Sequence, residues 1–415
     1  MRRRARQGAA ALFPDVTEYG RTLYGAAPAS AGESVRKDGI DALRLVPPVF
    51  VPRRLEKLID LAREPLYRDV HLDTVIGGFA SRLPVYLSAF GSTRVANRSL
   101  GVAASAQAAR AGIPMVLGEN IVPVNGYGRN EEAENALLAR LRAYADALGP
   151  GVGGVVVQQS TEDADAEVWN LVYSDPNVQD LIDTGRLAFE LKVGQGAKPG
   201  LGGLTVVDAD AAGRLAEAYE IDEQFELGGS ALRCSSPGTF TEEILRQQIR
   251  LMRNNYPRAR VWVKLPPARD VREAALVAWA AGADAVTVDG AEGGTGWAPT
   301  SFLDHVGLPL RECLARIGST PHCLLASGRM WEGARAAKTL ALGATAVGLG
   351  RAALVAVDED DGAGLTNLLA GLAIELQMLT SALGKYHTDQ LGPEDLWNAE
   401  RAAAVDAPAE NVRVH

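Results

Sequence analysis

Residues 260–290 read RVWVKLPPARDVREAALVAWAAGADAVTVDG. Two apolar runs, RVWVKL (260–265) and ADAVTVDG (283–290), flank a stretch of different period. Neither run alternates cleanly between apolar and polar, which suits strands buried on both faces, as in a parallel sheet. Between them Ala274, Ala275, Val277, Ala278 and Ala281 recur at helical spacing and stop at Gly282, a C-cap signal. The segment is a strand, a helix and a second strand in order.

The alternation continues outward. Apolar runs recur at 83–90 (LPVYLSAF), 113–119 (IPMVLGE), 154–160 (GVVVQQS), 188–193 (AFELKV), 322–328 (HCLLASG) and 345–350 (TAVGLG). Helical patterns follow at 96–112, 130–148, 330–343 and 364–384. Eight strand–helix units predict an α/β fold of the (β/α)8 TIM-barrel type. A doubly wound open sheet is the alternative, but no GxGxxG opens its first helix. Residues 1–82 are expected to form an N-terminal extension packing on the barrel, 83–390 the barrel itself, and 391–415 a C-terminal tail. Residues 194–258 form a long insertion after strand 4, with helix-like stretches at 208–220 and 241–255. An insertion of that length is expected to carry or cover a site.

Composition narrows the function. A net charge of −9 argues against nucleic acid as a partner. No run approaches the length needed to span a membrane. The basic start MRRRARQG is followed by too short an apolar part for a secretory signal and is expected to be a frayed, solvated tail. Cys234, Cys313 and Cys323 are far apart, without CxxC or metal-ligand spacing. The expectation is a cytoplasmic, reduced homo-oligomer with no metal site.

In a barrel of this kind, chemistry sits where strands end and βα loops begin. Ser88, Glu119, Gln158, Gln159, Lys192, Lys264, Asp289, Ser327 and Arg351 fall at such ends. Lys192 and Lys264 close otherwise apolar strands, so each must meet an anion: a substrate, or a carboxylate of the protein. The loops after strands 7 and 8, ASGR and GLGR, place Ser327, Gly328, Arg329, Gly350 and Arg351 between a strand and a helix. The loop after strand 6, GAEGGTG, adds Gly293, Gly294, Thr295 and Gly296. Accessible backbone N–H groups, a helix N-terminus and arginines make a phosphate cradle. Tight βα turns use glycines as well.

The same residues carry a resemblance. The segment from VKLPP through GGTGWAPT to HVGLPL, and the loop ELKVGQGAKPGLGG after strand 4, resemble the FMN-binding barrel of glutamate synthase. LSAFGS and the lead-in LVPPVFVPRRLEKLIDLAREPLYRDVHLDTVIG resemble it too, so the likeness runs over about 40–383. The resemblance implies FMN as cofactor. It places Ser88, Ala89 and Gln159 near the isoalloxazine ring, and Lys264 beside N1 and the C2 carbonyl. There a fixed ammonium stabilises the electron-rich ring. It assigns the phosphate to Gly293, Gly294, Thr295, Gly296, Ser327, Gly328, Arg329, Gly350 and Arg351. Lys192, Gln195 and Lys198 would face a small carboxylate substrate above the ring.

Three features depart from that family. The iron–sulfur cysteine cluster expected after strand 8 is replaced by VDEDDGAGLTNLL, LRCSSPGTFTEE replaces a proline- and histidine-rich stretch, and the opening MRRRARQG leads to the expectation of no amidotransferase segment with a leading cysteine. The expected activity is an FMN-dependent oxidoreductase moving hydride between flavin N5 and a small amino or oxo acid. One alternative is the flavin subunit of a multi-protein aminating complex, similar to N-methylglutamate synthase, with a partner that supplies ammonia or electrons. Another is a degenerate barrel serving as a binding module. A nucleotide barrel of the inosinate dehydrogenase type would need a loop cysteine, whereas Cys323 lies in a strand run. Asp289 and Glu292 stay open between a base and salt bridges to Arg329 or Arg351.

Overall fold

The computed structural model describes residues 1–8, 39–90, 98–118, 131–160, 168–196, 240–293 and 305–398, with short stretches at 205–208, 212–213, 216, 220–222, 230–234 and 302. Eight parallel strands close into a barrel. They are β1 (Val85–Phe90), β2 (Met115–Leu117), β3 (Val155–Ser160), β4 (Leu187–Lys192), β5 (Arg260–Leu265), β6 (Ala285–Asp289), β7 (Leu324–Ser327) and β8 (Ala346–Leu349). The closed ring decides against an open, doubly wound sheet.

Helices α1 (Arg98–Ala111), α2 (Glu131–Ala147), α3 (Val168–Ser174), α4 (Glu242–Asn255), α5 (Val271–Ala280), α6 (Leu310–Ile317), α7 (Gly333–Ala341), α8 (Arg351–Glu359) and α9 (Gly364–Ala382) accompany the strands. Gly282 ends α5 with φ +106° and its N–H on Trp279 O at 3.0 Å, as the sequence signal requires. Thr241 caps α4, its side chain accepting the Ile244 N–H at 3.2 Å. No described helix is long and apolar enough to cross a membrane.

Alternation divides the strand side chains into two cores. Val155, Val157, Phe189, Val261, Val263, Val286 and Val288 face the helices. Tyr86, Val116, Val156, Ala188, Trp262, Ala285, Leu325 and Ala346 fill the barrel's N-terminal half. An antiparallel hairpin, Thr74–Ile76 with Phe79–Ser81, adds Ile76 and Phe79 to that inner core. Trp262 Nε1 donates to Gly77 O at 3.1 Å, which fixes the hairpin as a plug. Burying a Trp-sized side chain stabilises by roughly 4–6 kcal/mol before entropy is charged. One end of the barrel is therefore sealed with apolar groups, and polar groups collect at the other.

Two expectations change. The basic start is not a frayed tail: Arg2–Gln7 is helical, Ala5 is buried, and Arg4 pairs with Glu375 on α9. Part of the insertion after β4 is a three-stranded antiparallel sheet, with Ser230–Cys234 between Thr205–Asp208 and Glu220–Asp222. Most of the helix-like stretch at 208–220 lies outside the described residues. The lead-in and the C-terminal segment join, since Arg44–Leu45 pairs with Leu396–Trp397.

Candidate active site

Inner-face positions near the strand ends are polar, and they meet. Lys264 Nζ on β5 lies 3.2 Å from Asp289 Oδ2 on β6. Ser327 Oγ on β7 donates to Asp289 Oδ1. Lys192 on β4 stands in register with Lys264, and its Nζ donates to Gln195 Oε1 at 3.2 Å. All four groups from these strands are less than a tenth exposed. The anion that the sequence required for Lys264 is thus a carboxylate of the protein, which a ligand can join without being its first partner.

One layer deeper lies a second carboxylate that the sequence reading did not single out. Glu190 on β4 is 1% exposed. Gln158 Nε2 donates to its Oε2, and Thr287 Oγ1 donates to its Oε1 at 3.1 Å. Burial pushes the Glu190 carboxyl upward from its ordinary value, while the Lys264 charge and the two hydrogen bonds pull it back. Burial also pushes the Tyr86 phenol well above its ordinary value, with the charges of Glu190 and Asp289 adding to the push. A usable signal for Glu190 did exist: it precedes Lys192 by two residues on a buried strand, so the two share the inner face.

The strand ends set which expected residues face the mouth. Between β1 and β2 the register slips, Leu87 opposing Met115 but Phe90 opposing Leu117. This bulge brings Ala89 onto the inner core beside the buried Ser88. On β3, alternation gives the inner face to Gln158 and Ser160; Gln159 falls on the outer side and folds back, its Nε2 on Gln158 O at 2.8 Å.

The described starts of the loops after β6 and β7 lie together. Gly290 N–H donates to Ser327 O at 3.0 Å, and Gly293 N–H to Gly290 O at 2.8 Å. Glu292 accepts the Leu310 N–H on both oxygens, at 3.0 and 3.2 Å, capping the first turn of α6. A Cβ on Gly290 would fall 2.0 Å from Glu292 Oε2 and 2.7 Å from Leu310 N, so only glycine admits this cap. Neither acidic residue bonds Arg329. Asp289 goes to Lys264 and Ser327, and Arg329 pairs with Asp41. Asp41 also receives the buried Arg335 at 3.0 Å, and its backbone oxygen receives Lys338 Nζ at 3.2 Å. Arg335 Nε donates to Gly328 O at 3.2 Å, tying this cluster to the β7 loop. No local pattern could reveal Asp41, because its arginines lie almost 300 residues away.

Gly350 caps α8 without a side-chain bond, nothing stands within 4 Å of where its Cβ would be, and Arg351 is exposed. Arg329 has left-handed backbone, φ +57°, and its buried Nε has no hydrogen-bond partner. An open helix N-terminus and an orphaned guanidinium N–H beside glycine backbone fit a phosphate group. Lys198, Gly294, Thr295 and Gly296 lie outside the described residues.

The fold is that of a (β/α)8 barrel, with the candidate site at its C-terminal mouth. The conserved region in glutamate synthase matches residues 129–359, more than half of the chain. The chain therefore belongs to the glutamate synthase family. A glutamate synthase large subunit-like protein of Rhizobium meliloti (strain 1021) is 30% identical over 276 residues, 53% of this chain and 62% of that protein. The archaeal glutamate synthase (NADPH) of Methanocaldococcus jannaschii is 34% identical over 181 residues, 41% and 34% of the two chains. The chain thus spans only about a third to three-fifths of the length of these curated relatives. The fold is shared with the monotopic membrane protein (S)-mandelate dehydrogenase, at TM-score 0.52 and 18% identity over 87% of this chain and 89% of that one. A flavocytochrome b2 variant with pyruvate bound gives TM-score 0.54 and 16% identity over 88% and 78%.

Proposed function

We propose that the chain carries FMN at the barrel mouth and moves hydride between flavin N5 and a small amino or oxo acid. The observation that carries this reading is the side-by-side placement of Lys192 and Lys264 at a dry rim, above a sealed barrel. When bound, FMN supplies the hydride-accepting and hydride-donating ring. Gly293, Ser327, Gly328, Gly350 and the orphaned Arg329 N–H would hold its phosphate, with Gly294, Thr295, Gly296 and Arg351 completing the loops. Ser88 and Ala89 would back the ring, and Gln159 would reach it only by turning from its outward position. Asp289 and Ser327 hold the Lys264 ammonium still, so its charge is already in place when the ring becomes electron-rich. Lys192, with Gln195 and Lys198, would take the substrate carboxylate through charge-assisted hydrogen bonds.

The NADPH named for its archaeal-type relatives supports a second reading of the same site, in which electrons reach the flavin from a separate donor. In it, this polypeptide is the flavin subunit of an assembly whose partner supplies ammonia or electrons.

Anaerobic titration of the FMN-loaded chain with amino and 2-hydroxy acids tests the first reading, with bleaching of the flavin expected for a member of the panel. Protein that stays colourless when FMN is added rules out both. Bleaching only when a second protein is present selects the subunit reading.

A further inference from the structure

Glu190 is not needed to fill space. An apolar side chain would pack against Ala188 and Trp262 without the cost of burying a carboxylate. It is instead one end of a row of hydroxyls. Thr287 Oγ1 donates to Glu190, and Ser327 Oγ donates to Asp289. Between these lies the Tyr86 hydroxyl, which borders Thr287 and Ser327 yet meets neither in good hydrogen-bond geometry. Gly348 makes room for it, since a Cβ there would fall 2.6 Å from the phenol oxygen and 3.0 Å from Ser327 Cβ. A fully buried hydroxyl with no settled partner, placed between two hydroxyls that each serve a carboxylate, is a rotor able to join them.

The groups facing Glu190 leave a narrow choice of role. Gln158 on β3 and Thr287 on β6 are neutral donors; Lys264 on β5 is cationic; Asp289 on β6 is anionic; Tyr86 on β1 is a neutral phenol. Lys192 shares the Glu190 strand face, two residues nearer the rim. Among the described groups that face Glu190, two lysines balance two negative charges when both carboxylates are ionised, so this layer offers no net positive charge to further negative charge arriving at the rim. One proton added to Glu190 restores a net positive charge beside Lys264.

We propose that Glu190 is a proton-storing positioning residue, taking up one proton through Asp289, Ser327, Tyr86 and Thr287 when two electrons enter a ring held at Lys264. In that step a solvent proton joins Asp289 at the rim. Each hydroxyl then passes on its own hydrogen as it accepts the next, and the last O–H bond forms on Glu190. Lys264 remains an ammonium throughout. The assignment rests on the flavin reading above and adds a charge-compensating group beneath it.

The test is the pH dependence of the bound flavin's midpoint potential, together with reduced-minus-oxidised infrared spectra of the wild-type chain. Each proton taken up with two electrons adds about 30 mV per pH unit to the slope. Wild type should show a segment steeper by one proton and gain a protonated-carboxyl band on reduction. Glu190→Gln should lose both. Tyr86→Phe should keep the equilibrium slope and slow proton uptake at least tenfold. An unchanged slope in Glu190→Gln, or no carboxyl band in wild type, overturns the relay alone. A wild-type chain that takes up no FMN overturns the functional reading and the relay with it. The infrared band needs no variant, so it decides the question even if Glu190→Gln folds poorly.

Discussion

Lys264 and Asp289 face each other from adjacent barrel strands, ammonium to carboxylate at 3.2 Å, each side chain 5% exposed. A pair so dry is maintained by both partners, because removing one leaves a buried charge without its counter-ion. The pair therefore links the chemistry of the mouth to the stability of the barrel.

Lys264→Met is expected to slow flavin reduction by roughly a hundredfold or more, as loss of a preorganised charge does elsewhere. It should also destabilise the barrel by about 3–5 kcal/mol through the stranded Asp289 carboxylate. Adding Asp289→Asn should restore most of the stability but not the rate. Urea unfolding and anaerobic stopped-flow bleaching separate the two effects. Reduction at the wild-type rate in the single variant would remove Lys264 from the chemistry.

Glu292→Ala takes the cap from α6 and should cost about 0.5–2 kcal/mol. Because Gly293 follows directly in the loop, FMN should bind several-fold more weakly. Fluorescence titration of FMN and thermal melts measure both. Unchanged FMN affinity would confine Glu292 to the helix.

Asp41→Asn weakens the tie between the lead-in segment and Arg329 and Arg335, while the Lys338 bond to the backbone oxygen remains. A loss of about 2–3 kcal/mol is expected, the scale of charge-assisted hydrogen bonds. Since Arg335 also holds Gly328 O, the rise in melting temperature on adding FMN should shrink. A full-sized rise on a destabilised protein would make Asp41 a scaffold residue only.

Burial pushes the Cys313 thiol up to about 12 and the Cys323 thiol up to about 11. For a thiol the protonated form is unreactive, so at pH 8 about one Cys323 in a thousand is thiolate, and fewer for Cys313. Both should resist alkylation in the native chain at pH 8 and react on unfolding, as counted by mass spectrometry. Cys323 Sγ accepts the Gly77 N–H at the sealed end of the barrel, opposite the mouth, which removes it as a loop nucleophile. Rapid native alkylation of Cys323 would contradict that placement.

The strands and many of the helices were legible because each is a local pattern. Continuous apolar runs mark strands buried on two faces, and Gly282 ends α5 by an ordinary capping rule. Both rim lysines were legible for the same reason, since each sits at a strand end that sequence alone can locate. Strand parity also lies in the sequence, and it would have given Gln158 preference over Gln159 and exposed Glu190 beside Lys192.

Sequence by itself determined a repeating strand–helix chain, a likeness to the glutamate synthase barrel, and which ends of the strands are polar. Only the tertiary structure decided what those polar groups touch. Asp289 neutralises Lys264 rather than Arg329, Glu292 serves a helix N-terminus, and Asp41 gathers two arginines from across the chain. The physical reason is that ion-pair partners are chosen by closure of the ring and by distance in a low-dielectric interior. Neither is encoded in the spacing of residues along one strand.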